Sequence, residues 1–339
     1  MKAAFTICSN NYLAQAMVLA GSVKLHAPDW AFFLILVDEP RRMDGVLVPP
    51  EVVVIPADQL GLAGFDEMTL RYDIIELCTA VKAAAFVRLF AFRPELEQIH
   101  YLDPDTLLCA PPHPLTGALE SASILLTPHH LTPLPIDGRF PDETLALNHG
   151  IYNLGYLGLR RSPDADALLA WWSARLLNHC RIDLGNGLFV DQLWMNYAPL
   201  YFPNVAVLRH PGVNTAYWNL HEREILPGGK IRHAGREHDL ILYHFSGFSP
   251  SRRDRLTRAE LRQNLESLPA LAELARTYAV ALVDAGHESA RKVECVYVTR
   301  RREHLARLER EFVRRHPWRA FMKKIRRSVP EPLRALFRP

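Results

Sequence analysis

The sequence predicts an α/β fold: a mostly parallel central sheet flanked by helices, followed by a basic, helical C-terminal extension. Three observations predict it. Short, fully apolar runs alternate with helix-periodic segments through the first hundred residues, which is the rhythm of βαβ units whose strands are covered on both faces. The chain has 339 residues, 49% hydrophobic and 23% charged, which suits one large domain with an appendage and excludes wholesale disorder or a fibrous repeat. Charge is divided along it. Residues 300–339 hold fourteen Lys or Arg against four acids, a net of +10, so residues 1–299 carry −7 of the overall +3. We expect residues 1–255 to form the main domain and residues 256–339 the extension.

The elements follow in order. Residues 5–8, Phe-Thr-Ile-Cys, read as a first buried strand. Ser9, Asn10 and Asn11 are N-cap types, and Leu13, Ala16, Met17 and Ala20 follow at helical spacing. Residues 32–37 and 52–55 are the second and third strands. Residues 79–92 are helical, with Val81, Ala85, Leu89 and Phe92 on one face. Residues 98–102 form a fourth strand that ends at Asp103.

From residue 128 the pattern changes. Pro128, Pro133, Pro135 and Pro141, with His129-His130, mark a long loop of the kind that is often functional. Residues 151–159 then read as a strand. Residues 164–179 form an amphipathic helix carrying Trp171-Trp172, and residues 190–197 a short helix. Residues 240–245 are a strand that runs into Ser246-Gly247. Beyond 255 the chain is helical to about 316, where Pro317 interrupts it.

Several classes drop out. The apolar run 31–37 is far short of the ~20 residues a spanning helix needs. Met1-Lys2 leads straight into the first strand, whose apolar stretch is too short to read as a secretory signal. Cys8, Cys78, Cys109, Cys180 and Cys295 are odd in number and at least 31 positions apart, which argues against a zinc ribbon or a disulfide framework and for free thiols in a reducing cytoplasm. No GxxxxGK[ST], GxGxxG or GxSxG occurs.

The sharpest local feature is Tyr101-Leu102-Asp103-Pro104-Asp105. A buried strand delivers two carboxylates to its carboxyl end, and Pro104 makes the chain turn there. Two acids so close repel unless a cation joins them, and hard oxygen ligands suit Mg²⁺ or Mn²⁺ on a phosphate. The alternative is a plain turn with Asp105 as a cap. Tyr243-His244-Phe245-Ser246-Gly247 ends another buried strand, and an imidazole completing a carboxylate site favours Mn²⁺ over Mg²⁺.

Taken together, these residues resemble the metal-dependent glycosyltransferases of the GT-A fold, family 8 in particular. Cys8-Ser9-Asn10-Asn11-Tyr12 looks like the first-strand exit that holds the nucleoside, and Asp103-Pro104-Asp105 like the DxD metal motif. Tyr152-Asn153-Leu154-Gly155 is similar to the Asn-x-Gly strand, Asp191-Gln192 to the Asp-Gln pair, and His244-x-x-Gly247 to the metal histidine and its glycine. The resemblance spans roughly residues 3–250. It departs at Pro250, where the family has a lysine, a role Arg252 or Arg253 would have to take. It also departs in the proline loop 128–142 and in residues 214–220.

The resemblance implies a catalytic domain over residues 1–255 that transfers a sugar from a nucleotide-diphosphate donor, a UDP-sugar, to an acceptor hydroxyl with retention, in surface-glycan or glycoconjugate synthesis. It implies Mn²⁺ (or Mg²⁺) on Asp103, Asp105 and His244. Ser9, Asn10, Asn11, Tyr12, Lys82 and Gly247 would bind the nucleotide, Asn153 and Gly155 the donor sugar, while Asp191 and Gln192 would be catalytic, beside the anomeric carbon. From the residues alone, Lys82 meets a diphosphate, pairs with Asp103 or is a surface cation. Trp218 stacks on a sugar or anchors a loop, and His129-His130 line an acceptor groove or lie exposed. The competing function is a catalytically silent nucleotide-sugar or glycan-binding module of the same fold. The basic segment 300–339, with Phe312, Val313, Trp318, Phe321, Met322, Ile325, Leu333, Leu336 and Phe337 among its cations, suits an anionic membrane surface; the expected place is the cytoplasm, peripheral on the inner face of the membrane, with a glycan or lipid-linked acceptor. An acidic body without a nucleic-acid motif argues against a nucleic-acid partner.

Overall fold

A computed structural model of the chain describes residues 1–41, 45–252, 255–257, 262, 263 and 265–318. Its strands are β1 (Lys2–Cys8), β2 (Ala31–Leu36), β3 (Val52–Pro56), β4 (Gln98–Leu102), β5 (Thr106–Leu108), β6 (Ile124–Pro128), β7 (Tyr152–Arg160), β8 (Ile182–Asp183), β9 (Leu188–Phe189), β10 (Val205–Val207), β11 (Glu224–Leu226), β12 (Lys230–His233), β13 (Arg236–Asp239) and β14 (Leu242–His244). The helices are α1 (Leu13–His26), α2 (Phe65–Arg71), α3 (Ile74–Ala80), α4 (Lys82–Phe92), α5 (His113–Ser121), α6 (Glu143–His149), α7 (Pro163–His179), α8 (Ala198–Tyr201), α9 (Pro269–Asp284), α10 (His287–Ala290) and α11 (Val296–Arg315).

Seven strands make the central sheet in the order β10-β6-β7-β4-β1-β2-β3. The pairs β1–β2, β2–β3, β1–β4 and β10–β6 are parallel, and β7 runs antiparallel to both β4 and β6. The sheet is thus mostly parallel, as expected. Its connectivity decides where a ligand fits. From β1 the chain winds outward through β2 to β3, then returns to lay β4 on the other side of β1. Such a reversal opens a crevice at the carboxyl ends of the two central strands.

Both faces of the sheet are covered. Phe5, Ile7, Phe33, Ile99, Leu157 and Leu159 pack one way, against Phe86, Leu89 and Trp172 of α4 and α7. Ala4, Phe32, Leu34, Leu125 and Tyr156 pack the other way, with Leu19 and Val23 of α1 and Leu115 of α5. Each such side chain contributes about 1.5–3 kcal/mol relative to exposure, and burial on both faces is why these strands read as continuous apolar runs.

Some expectations need correction. Residues 79–92 are not one helix. α3 starts earlier, at Ile74, because Asp73 and Glu76 form a capping box (Glu76 N to Asp73 Oδ1 2.9 Å, Asp73 N to Glu76 Oε2 3.0 Å), and Val81 separates it from α4. Ser9 is no helix cap: its hydroxyl donates to Asn11 Oδ1 at 2.5 Å, and α1 begins without a side-chain cap after a 3-10 turn at Asn10–Tyr12. The strand expected at 240–245 exists as β14, but it pairs antiparallel with β5 outside the central sheet. The short strands β5 and β6 and the exposed antiparallel sheet β11-β12-β13 carry too little periodicity to be read from sequence.

Among the described residues past 255, α9 and the start of α11 rest on the body. Phe245 at the end of β14 stacks on Tyr278 of α9 (3.9 Å, 5°), in one apolar cluster with Leu256, Leu265 and Leu271. At the start of α11, Val296 N donates to Asp38 Oδ1 (3.0 Å) and Cys295 Sγ to Val37 O (3.2 Å), just past β2. All five cysteines are free thiols. Among the described residues no helix is long and apolar enough to cross a membrane. Residues 319–339, with half of the expected basic tail, lie outside the described residues, as does Arg253.

Candidate active site

The turn after β4 is built by its own backbone. Asp103 N donates to Gly155 O of β7 (2.9 Å), and Thr106 returns both N (3.0 Å) and Oγ1 (2.7 Å) to Asp103 O. The chain then enters β5, whose antiparallel partner is β14 with Thr106 opposite His244. Phe245 N closes the ladder on Asp105 O (2.8 Å). This register brings a histidine 139 positions away beside the two carboxylates. His244 Nε2 lies 3.1 Å from Asp105 Oδ1 and 3.7 Å from Asp103 Oδ2. One ligand atom from each residue falls within 4.8 Å of the others, the only such group of three among the described residues. Asp103 and Asp105 are 29% and 20% exposed against 5% for His244, so the cluster opens to solvent on its carboxylate side. Two carboxylates and an imidazole fit a divalent cation of the Mn²⁺ or Mg²⁺ type that also takes oxygens from outside the protein. Burial lowers the His244 pKa, but the charge and hydrogen bond of Asp105 and the charge of Asp103 outweigh it and raise it above the usual histidine value.

Behind the triad lies a buried polar layer that the sequence did not reveal. His244 Nδ1 faces Asn214 Oδ1 at 3.2 Å. The Asn214 amide donates to Thr127 Oγ1 (2.9 Å), Asn153 Oδ1 (3.0 Å) and Asn153 O (3.2 Å). Asn153 Oδ1 also accepts from Gly155 N (2.9 Å), and its Nδ2 lies 3.2 Å from His129 Nε2. Thus Asn153 is held, 8% exposed, at the inner wall. His129 is buried, not an exposed loop residue, and burial drives its pKa down to about 3. Trp218 is 3% exposed and meets His244 and His129 edge-on at 5.1 and 5.5 Å, which makes it a loop anchor and no sugar platform.

The second charged pair sits beside the first. Lys82 opens α4 and is 1% exposed; its Nζ lies 2.6 Å from Asp191 Oδ2, 3.2 Å from Leu154 O and 4.0 Å above the Tyr101 ring. It is no surface cation, and its partner is Asp191 rather than Asp103. The Tyr101 hydroxyl in turn donates to Asp103 Oδ1. Burial raises the Asp191 pKa, with Lys82 pulling against it. Gln192 accepts from Leu154 N (2.8 Å) and donates to His149 O (2.9 Å), which fixes Asp191-Gln192 against β7.

At the exit of β1, Ser9 and Asn10 are buried, and Asn10 Nδ2 donates to Glu39 O at 2.9 Å. Asn11 is half-buried, and Tyr12 is 40% exposed beside the crevice. Gly247 turns the chain after β14 with φ +73, a left-handed conformation that favours glycine. The structure thus brings Asp103, Asp105 and His244 together and sets Asp191-Gln192 beside Lys82 and β7, while Tyr101 and Asn214 were not among the expected site residues. An asparagine within a segment unlike the resembled family was the only available signal for Asn214.

No family model matches the chain. Uncharacterized protein YfnF of Bacillus subtilis (strain 168) is 28% identical over 246 residues, covering 72% of this chain and 80% of that protein. Uncharacterized protein YfnD of the same strain is 24% identical over 251 residues, covering 72% and 77%. Among solved structures, an active-site mutant of LgtC is similar with a TM-score of 0.45 and 14% identity, covering 83% of this chain and 95% of that one. Galactosyltransferase LgtC in complex with donor and acceptor sugar analogues gives 0.45 and 15%, covering 81% and 96%. A glycosyltransferase involved in glycosylation of the major capsid of PBCV-1 gives 0.39 and 12%, covering 73% and 94%.

Proposed function

We propose that the chain is a metal-dependent glycosyltransferase of the GT-A type, moving a sugar from a nucleotide-diphosphate donor, a UDP-sugar, to an acceptor hydroxyl. The observation that carries this reading is the convergence of Asp103, Asp105 and His244 at the carboxyl ends of the central strands, next to the exit of β1. Mn²⁺ (or Mg²⁺) held there would bind the diphosphate and stabilise the charge that grows on it as the glycosidic bond breaks. Ser9, Asn10, Asn11 and Tyr12 would hold the nucleoside, and Gly247 would border the diphosphate. Asn153 and Gly155 border the donor sugar. Asp191 and Gln192 act next to the anomeric carbon, where Asp191 is paired with Lys82 in a buried site. Retention of configuration is supported by the same pair: an inverting enzyme needs a base, and Asp191, the candidate for it, is 1% exposed and engaged with Lys82.

A panel of nucleotide sugars read by thermal unfolding tests the reading. A native-state ligand at a hundred times its Kd adds about 2.7 kcal/mol of apparent stability. Uridine diphosphate sugars are expected to raise Tm in the presence of Mn²⁺ and not in its absence. Equal stabilisation by guanosine and uridine diphosphates would remove the nucleoside preference, and no metal-dependent shift with any donor would remove the enzyme reading. Stabilisation without donor hydrolysis or transfer would leave the silent binding module, which Pro250 favours.

The expected setting is surface-glycan or glycoconjugate synthesis on the cytoplasmic face of a membrane, with a glycan or lipid-linked acceptor. α11 supports the location: it carries seven arginines and three glutamates and exposes Leu305, Leu308, Phe312 and Val313. Each cation near an anionic surface contributes ~1 kcal/mol before ordering costs. Full-length protein is expected to sediment with anionic vesicles at low salt and to be released as salt rises; a chain ending at Val298 that sediments equally would exclude the tail as the anchor.

A further inference from the structure

We infer that Asn214 and Gly155 together form a socket that fixes which nitrogen of His244 faces the two carboxylates. The inference rests on the metal site proposed above and deepens it. An imidazole ligates through one nitrogen, and the hydrogen bond at the other decides which one that is. In this protein Nδ1 faces the Asn214 side-chain oxygen at 3.2 Å, while Nε2 faces Asp105 and Asp103. An amide oxygen only accepts, so Nδ1 carries the hydrogen and Nε2 is left for a cation.

The Asn214 amide could be turned end for end, so its orientation needs its own support. That support comes from its other contacts. The Nδ2 end is surrounded by three acceptors, Thr127 Oγ1, Asn153 O and Asn153 Oδ1. Asn153 Oδ1 is itself committed as an acceptor, because Gly155 N donates to it. Reversing the amide would place an oxygen against these acceptors. Asn214 is fully buried and adopts φ +52, outside the ordinary range for a residue with a side chain. Thr215, the next residue, accepts from His244 N at 2.7 Å, so socket and histidine are joined through the backbone as well.

Gly155 supplies the other wall. A Cβ there would lie 2.4 Å from His244 Nδ1, 2.5 Å from His244 Cε1 and 2.7 Å from Asn153 Oδ1. The imidazole therefore occupies the space a side chain on β7 would fill. Both residues are positioning residues that act through His244.

The test is Mn²⁺ affinity of the full-length protein without any nucleotide, read by electron paramagnetic resonance of unbound Mn²⁺. Asn214→Gly keeps a backbone that accepts φ +52 and removes the amide; Gly155→Ala fills the socket. Each is expected to weaken Mn²⁺ by about 10–100-fold. Wild-type affinity in Asn214→Gly or in Gly155→Ala overturns the socket. A wild-type protein that binds no Mn²⁺ overturns the metal site itself. Independently of any socket variant folding, the ¹⁵N spectrum of the Mg²⁺-loaded wild-type protein, assigned with His244→Gln, should show His244 protonated on Nδ1. Protonation on Nε2 would overturn the inference.

Discussion

Asp103→Ala/Asp105→Ala is expected to lose Mn²⁺-dependent sugar transfer by about 10³-fold or more, equivalent to about 4 kcal/mol of transition-state stabilisation. The fold should survive. Both side chains lie at the open side of the triad, and the turn that presents them is held by backbone bonds of Asp103 and Asp105 that alanine retains. Removing the carboxylates relieves the repulsion between them in the metal-free protein but takes away the partners of His244 and the acceptor of the buried Tyr101 hydroxyl. Thermal unfolding without metal should therefore shift by no more than about 1–3 kcal/mol, while turnover and the Mn²⁺-dependent Tm shift with donor disappear together. Persistent Mn²⁺-dependent turnover in the double variant would show that the cation sits elsewhere.

Lys82→Met should act in the opposite manner, on the fold as much as on the site. Lys82 and Asp191 are each 2% exposed in their side chains and 2.6 Å apart. Removing one partner leaves the other as a buried charge, a change that destabilises by about 3–5 kcal/mol. Asp191 would then take up a proton, because the burial that already raises its pKa would no longer be opposed by Lys82. Lys82→Met/Asp191→Asn removes both charges and should recover most of the loss, since the desolvation of the pair disappears with its attraction. Urea unfolding of the wild type, both single variants and the double variant gives the coupling directly. A single-variant loss below about 1 kcal/mol would mean that the pair is not the buried ion pair described. Activity should stay low even in the rescued double variant if Asp191 contributes its charge to the reaction.

How much of this was legible in the sequence depends on distance along the chain. β1 and β2 could be read because burial on both faces leaves continuous apolar runs, the edge strand β3 because Val52, Val53, Val54 and Ile55 are all β-branched, and Asp103-Pro104-Asp105 because the whole motif lies within three residues. β7 could be read as a strand, but not as the antiparallel member of the sheet, because a strand covered on both faces looks the same in either direction. The break at Val81 was hidden because apolar spacing runs through it, and the Asp73–Glu76 box that starts α3 lies upstream of that apolar stretch.

Local chemistry was therefore determined by the sequence alone: an α/β sheet, a pair of carboxylates at a strand end, a histidine at another, an acidic body and a basic tail. Tertiary structure decided how these meet. The β5–β14 register set His244 against Asp105, although the two are far apart in the chain. Folding of α4 onto the sheet turned Lys82 from a helix cation into the partner of Asp191. Asn214 gained its place behind His244 from a loop with no periodicity to read. The physical reason is common to all three. Backbone pairing and side-chain alternation are short-range and leave a pattern in the order of residues, whereas the partners of a buried polar group are set by which segments the sheet order brings together.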